Sequence, residues 1–247
     1  MITSNWQVQI QGWTSDLEHL ARHFTSIPSR VVKDERDNGF LYESVAFAAC
    51  SQSEEVLKIA NEELCALSGV LKLTRDSPEP LRTGAVYKRN ASGGRDVFVH
   101  IHETLHVRAE LGEVTVTVTD GAGNIVTRPA PPPRTVAIAK FAVTDSAVAK
   151  AMRLLAAPDH KSWVGMYRIH EVIEADVGGE HTLKKRGWGS ARDLKRFKHS
   201  ANSVNVAGDS ARHGKELDQP PTHPMSIDEA AAYLNYVLQS WLSAKGV

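Results

Sequence analysis

Apolar and polar positions along the chain follow two periods, and the changes of period mark the elements. Trp6-Gln7-Val8-Gln9-Ile10-Gln11 alternates strictly, as a half-buried strand does. Leu17, Leu20, Ala21 and Phe24 then recur at helical spacing and predict a helix over 16–24. Residues 29–32 and 40–47 read as the two strands of a hairpin around Asp37-Asn38-Gly39, residues that tolerate positive φ. Val56, Leu57, Ala60, Leu64 and Leu67 predict a long helix over 53–71, with Glu54 and Glu55 in a first turn that favours carboxylates. Strands expected over 85–88, 96–111 and 114–119 complete an order of strand-helix-strand-strand-helix-strand plus extra strands. The expected class is α+β, with residues 1–127 forming a ferredoxin-like sandwich of one sheet and one helical layer.

Arg128-Pro129-Ala130-Pro131-Pro132-Pro133-Arg134 interrupts both periods, since consecutive prolines cannot donate backbone hydrogen bonds and favour an extended chain. A stiff linker over 128–139 is expected there. After the proline run a single strand is predicted over 136–141, overlapping the end of the linker, and the rest reads as helix. The expected helices cover 145–156; 163–177, with Trp163, Met166, Tyr167, His170 and Ile173 on one face; a segment capped by Ser190 that carries Leu194 and Phe197; and a last helix opened by Ser226-Ile227-Asp228-Glu229. Four helices with one-sided apolar faces are buried most economically as a bundle, here over 140–247.

Composition agrees with two folded domains. The 247 residues are 42% hydrophobic and 23% charged, which excludes a disordered or low-complexity chain. Twenty-nine Lys and Arg balance 29 Asp and Glu, yet the balance is uneven: residues 1–134 carry 14 basic and 17 acidic side chains, and 135–247 carry 15 and 12. The second half is therefore mildly basic. Two cysteines, Cys50 and Cys65, are too few for a disulfide framework. No apolar run approaches the ~20 residues of a membrane span, and the amino terminus lacks a signal-like core. A cytoplasmic protein with no membrane partner is expected.

The densest positive charge is KKRGWGSARDLKRFK, residues 184–198. Lys184, Lys185, Arg186, Arg192, Lys195, Arg196 and Lys198 oppose a lone Asp193, with Trp188 between two glycines. Cations that neutralise phosphates beside an aromatic ring that can stack on an unpaired base point to RNA. The alternative is a solvated helix face with the aromatics buried.

A polar stretch, 201–214, separates this segment from the last helix and ends in Arg212-His213-Gly214. A helix, a polar segment ending in Arg-His-Gly and a capped amphipathic final helix together resemble the HEPN (higher eukaryotes and prokaryotes nucleotide-binding) bundle over roughly 140–245. The resemblance implies a helical bundle, often dimeric, and in many members a metal-independent ribonuclease of defence or toxin systems, with an antitoxin as protein partner. The family motif is an arginine, four to six intervening residues, then a histidine. Residues 203–208 contain none, so Asn202, Asn205 or Arg212 would substitute. On this reading His213 is the acid or base, Arg212 the phosphate donor, and Asn202 and Asp209 orienting groups; histidine titrates near neutrality and arginine offers a planar fork to oxygens. The structural alternative is a hydrogen-bonded network that pins a long connection to the bundle, and the functional alternative a non-catalytic scaffold whose bundle dimerises.

His100, His102 and His106 stand an even number of residues apart on the strand expected over 96–111, all on one face. His-x-His can hold a divalent metal, which would make the chain a metal-binding sensor; three surface histidines are the alternative. No phosphate loop, dinucleotide fingerprint, nucleophile elbow or His-Glu-x-x-His occurs, so no cofactor is otherwise expected. His170, close to Glu171 and Glu174, reads as a hydrogen-bonded bundle histidine.

Overall fold

The structure, a computed structural model, describes residues 4–26, 28–90, 94–99, 133–213, 215 and 219–247. It divides into two compact units: the first takes in residues 1–64 and 74–137, the second 65–73 and 138–247. The fold is α+β.

In the first unit β1 (Trp6–Gln11), α1 (Thr14–His23), β2 (Ser29–Asp34), β3 (Gly39–Ser44), α2 (Ser53–Arg75), β4 (Arg82–Arg89) and β5 (Arg95–Phe98) follow one another along the chain. The strands form one antiparallel sheet in the order β2-β3-β1-β4-β5. Val8 lies opposite Tyr42 on one side and Val86 on the other, and all three are buried. This is the apolar face that the alternation of β1 demands. Asn38 turns the β2–β3 hairpin at φ 49°, as the Asp37-Asn38-Gly39 signal predicts. Glu63 of α2 accepts hydrogen bonds from the hydroxyls of Tyr42, at 2.8 Å, and Ser44, at 3.1 Å, which places α2 on that same face. The opposite face is polar: Glu43, 4% exposed, receives Gln7 and Arg30.

Two expected strands take other forms. Residues 45–47 lie in a 3-10 turn, Val45–Ala49, because the Ser44 side chain caps it by accepting from the Ala46 amide. The apolar run at 136–141 is helical: α3 (Arg134–Thr144) starts on the Pro133 carbonyl, which accepts from Val136 and Ala137, and takes in the end of the expected linker. The strands expected over 100–111 and 114–119, and the linker residues 128–132, lie outside the described residues.

The second unit contains α4 (Ser146–Ala156), α5 (Trp163–Asp176), α6 (Glu180–Arg186), α7 (Ala191–Asn202), the short α8 (Val204–Ala207) and α9 (Ile227–Ala244). Side chains cap the helices where the sequence offers them: Asp145 accepts from Val148, Ser162 from Gly165 and Ser190 from Asp193. Ser226 and Glu229 form a complete capping box. Trp241 Nε1 donates to Asp176, and Lys245 bridges Asp145 and Asp176, closing the end of α9 against α4 and α5.

Gly69, on the part of α2 that belongs to the second unit, allows that helix to touch the backbone of α4. A Cβ at Gly69 would lie 1.9 Å from the Met152 carbonyl oxygen, and no side-chain rotation relieves a clash with backbone. Alanine gains about 1 kcal/mol of helix propensity over glycine, whereas forced separation of packed helices costs about 1–3 kcal/mol. Gly69→Ala is expected to lower the stability of the second unit despite its better propensity, as a reduced urea midpoint read by tryptophan fluorescence; an unchanged or raised midpoint contradicts the close approach.

Candidate nucleic-acid interface

The cationic segment spans α6, a two-glycine loop and the start of α7. α6 buries only Leu183, carries Glu180 in its first turn and Lys184, Lys185 and Arg186 in its last, and ends on Gly187 in the left-handed region. That distribution suits the helix dipole at both ends. α7 buries Leu194, Phe197 and Ala201 at helical spacing, so Arg192 and Lys195 face solvent.

Three of the seven basic residues are committed to the fold. Lys198, 21% exposed, lies 2.8 Å from Glu174 and 2.7 Å from Glu180. Burial alone would lower its pKa, but the hydrogen bonds to both carboxylates outweigh burial and raise it. Lys184 pairs with Glu180 one turn away, and the two lysines hold the Glu180 carboxyl down to about 2. Arg196 donates to the carbonyls of His223 and Pro224 and to the Glu229 carboxylate, tying the segment before α9 to α7. Lys185, Arg186, Arg192 and Lys195 remain exposed and have no carboxylate partner among the described residues. The Arg186 guanidinium stands 5.0 Å from the centre of the half-buried Trp188 ring.

The polar stretch after α7 is anchored by the Arg212 amide, which donates to the Ala201 carbonyl at 2.9 Å. The Arg212 side chain turns toward α5: it donates to Glu171 at 2.8 Å and lies 4.4 Å from the centre of the Tyr167 ring. Tyr167 and Glu171 are one helical turn apart, a cradle for a guanidinium that no local pattern near Arg212 announces. His213 is half-buried, Asp209 is exposed, and Asn202 closes α7 with its Oδ1 buried and without a hydrogen-bond partner among the described residues. No hydrogen bond or ion pair joins these four residues to one another among the described residues. His100, His102 and His106 lie outside the described residues; among those described, no group of three His, Cys, Asp or Glu could hold a metal.

His170 departs from its expected role. It is 0% exposed, and its rings of contact are aromatic: centroids lie 5.3 Å away for Phe197, 6.2 Å for Tyr233 and 6.4 Å for Tyr167. Neither ring nitrogen has a hydrogen-bond partner among the described residues, Nδ1 approaching the Glu174 carboxylate only to 3.5 Å. Burial pushes the imidazole down to about 4, against the attraction of Glu174. The folded protein therefore binds this proton less readily than the unfolded chain, whose histidine titrates near 6.5. Between pH 6.5 and 4 the unfolded state holds the extra proton, and stability falls with falling pH, by on the order of 3 kcal/mol over the window. Urea midpoints of wild type are expected to drop across that window, and His170→Phe is expected to flatten the drop without loss of stability at pH 7.5; an equal drop in both proteins assigns the effect elsewhere.

No family model matches the chain, and no curated protein or solved structure matches it, so the reading of this interface rests on its own residues.

Proposed function

We propose that the second unit binds single-stranded RNA on the solvent face of α6, the Gly187–Gly189 loop and α7. Lys185, Arg186, Arg192 and Lys195 contact backbone phosphates, and Trp188 offers a ring for stacking. One observation carries this reading: among the described residues, four cations of a single segment stay exposed with no carboxylate partner while their three neighbours are neutralised by Glu174, Glu180 and Glu229. Phosphate is the anion that such a row of uncommitted Lys and Arg suits. On this reading the bundle is HEPN-like, and the β2-β3-β1-β4 order supports a ferredoxin-like sandwich in the first unit, extended by β5 at its edge. Free Cys50 and Cys65 suit a reducing cytoplasm.

A second reading adds cleavage. Arg212 and His213 lie in a bend rather than a helix, so their side chains are not forced ~100° apart as neighbours on a helix are. The imidazole would take the 2′-hydroxyl proton, and Arg212, already oriented by Tyr167 and Glu171, would meet the phosphate charge.

Replacing Lys185, Arg192 and Lys195 together by alanine is expected to weaken RNA binding and to make its log–log salt dependence shallower by about two units, at ~0.7 per lost single-strand phosphate contact. An unchanged slope in fluorescence anisotropy removes the proposed face. For the second reading, His213→Ala is expected to abolish cleavage of a labelled single strand with affinity retained; undiminished cleavage, or none by the unaltered chain, ends it.

A further inference from the structure

Beside the cationic face lies an open groove of about 480 Å³, within the ~300–1,000 Å³ range of small-ligand clefts. One wall is a single face of α9, on which Glu229, Ala232, Tyr233 and Tyr236 recur at helical spacing. The small Ala232 side chain opens this wall, and Tyr236, 56% exposed, borders it with an uncovered aromatic ring. The opposite wall is the loop after α6 with the first turns of α7. Gly189, at φ 86°, lies so close to Tyr233 that a Cβ would stand 2.6 Å from the ring, which leaves this wall as bare backbone. Tyr233 is 9% exposed, and its hydroxyl has no hydrogen-bond partner among the described residues. Burial, followed by the carboxylates of Asp193, Glu174 and Glu180, raises its pKa, so the hydroxyl keeps its proton and remains a donor.

We infer that this groove accepts one unpaired nucleobase carrying an exocyclic amine, with its ring against Tyr236 and its amine donating to Asp193 or Glu229. The inference rests on the RNA-binding reading and names what the same surface selects. An exposed aromatic ring, a stretch of wall made of bare backbone and acceptor carboxylates in the lining suit the face and edge of adenine, cytosine or guanine. Uracil has no exocyclic amine and would leave the carboxylates facing its carbonyl oxygens. Both carboxylates retain acceptor capacity beyond their caps and the Arg196 contacts. The phosphates on either side of the seated base would reach the exposed cations: Arg186 precedes the groove residue Gly187, and Arg192 and Lys195 directly precede Asp193 and Arg196 on α7, each about 100° round the helix.

The test is anisotropy of labelled ten-nucleotide oligo(A), oligo(C) and oligo(U) at fixed salt with the full chain, with Tyr236→Ala and with Ala232→Leu, both exposed positions whose folding is checked by circular dichroism. Oligo(A) and oligo(C) are expected to bind about tenfold more tightly than oligo(U), the lower part of the range for one base-edge contact that distinguishes bases. Each variant is expected to bring them to the oligo(U) level with the salt slope unchanged. Equal affinities for the three strands, or variants that bind as wild type does, overturn the groove and leave the phosphate contacts standing. Absence of salt-dependent binding to any strand overturns both.

Discussion

Phe197 fixes the geometry of the second unit. Its ring is fully buried and lies 5.3 Å from His170 and from Tyr233, 6.0 Å from Tyr167 and 6.4 Å from Trp163, centre to centre. Three helices meet there: α5 supplies Trp163, Tyr167 and His170 one turn apart, α9 supplies Tyr233, and α7 supplies Phe197 itself. Removing such a ring costs about 3–5 kcal/mol, a large part of the ~5–15 kcal/mol that holds a domain together. Because this contact sets the rotation of α7, it also decides which basic side chains meet water. The cationic face is the outer side of an apolar joint.

Charge then refines what packing has laid out. Exposed ion pairs are screened by water and salt, so Lys184–Glu180 and Arg196–Glu229 do little for stability. Their effect is on the field: carboxylates interleaved with the cations leave a weak net positive charge, screened over about 8 Å at physiological ionic strength. Long-range attraction of anions by this surface is correspondingly modest.

The parts of this architecture that the sequence announces are those governed by neighbours along the chain. The alternation at Trp6–Gln11, the turn at Asn38, and the caps at Ser190 and Ser226 all stand where local chemistry puts them. The 136–141 run is different. A short β-branched apolar stretch serves strand or helix equally, and the Pro133 carbonyl together with burial of Val136, Ile138 and Ala139 selects helix. α6 has a single buried side chain, too little for a periodic signal. Lys195 and Lys198 look alike in the sequence; only Glu174 and Glu180, brought in by other helices, set the paired Lys198 apart from the exposed Lys195. Arg212 likewise finds Glu171 some forty residues away, and the bare nitrogens of His170 follow from a tertiary aromatic cluster that its near neighbour Glu174 does not foretell.

The 23 residues of α2 carry a last implication. Its first half is counted in one compact unit, and 65–73, with Gly69 against Met152, in the other. Neither unit is a continuous piece of chain, so no single cut yields two self-sufficient modules: division in the proline-rich stretch leaves the carboxy-terminal fragment short of a helical strip its own core requires. Recombination that treats the two halves as interchangeable parts would divide that helix.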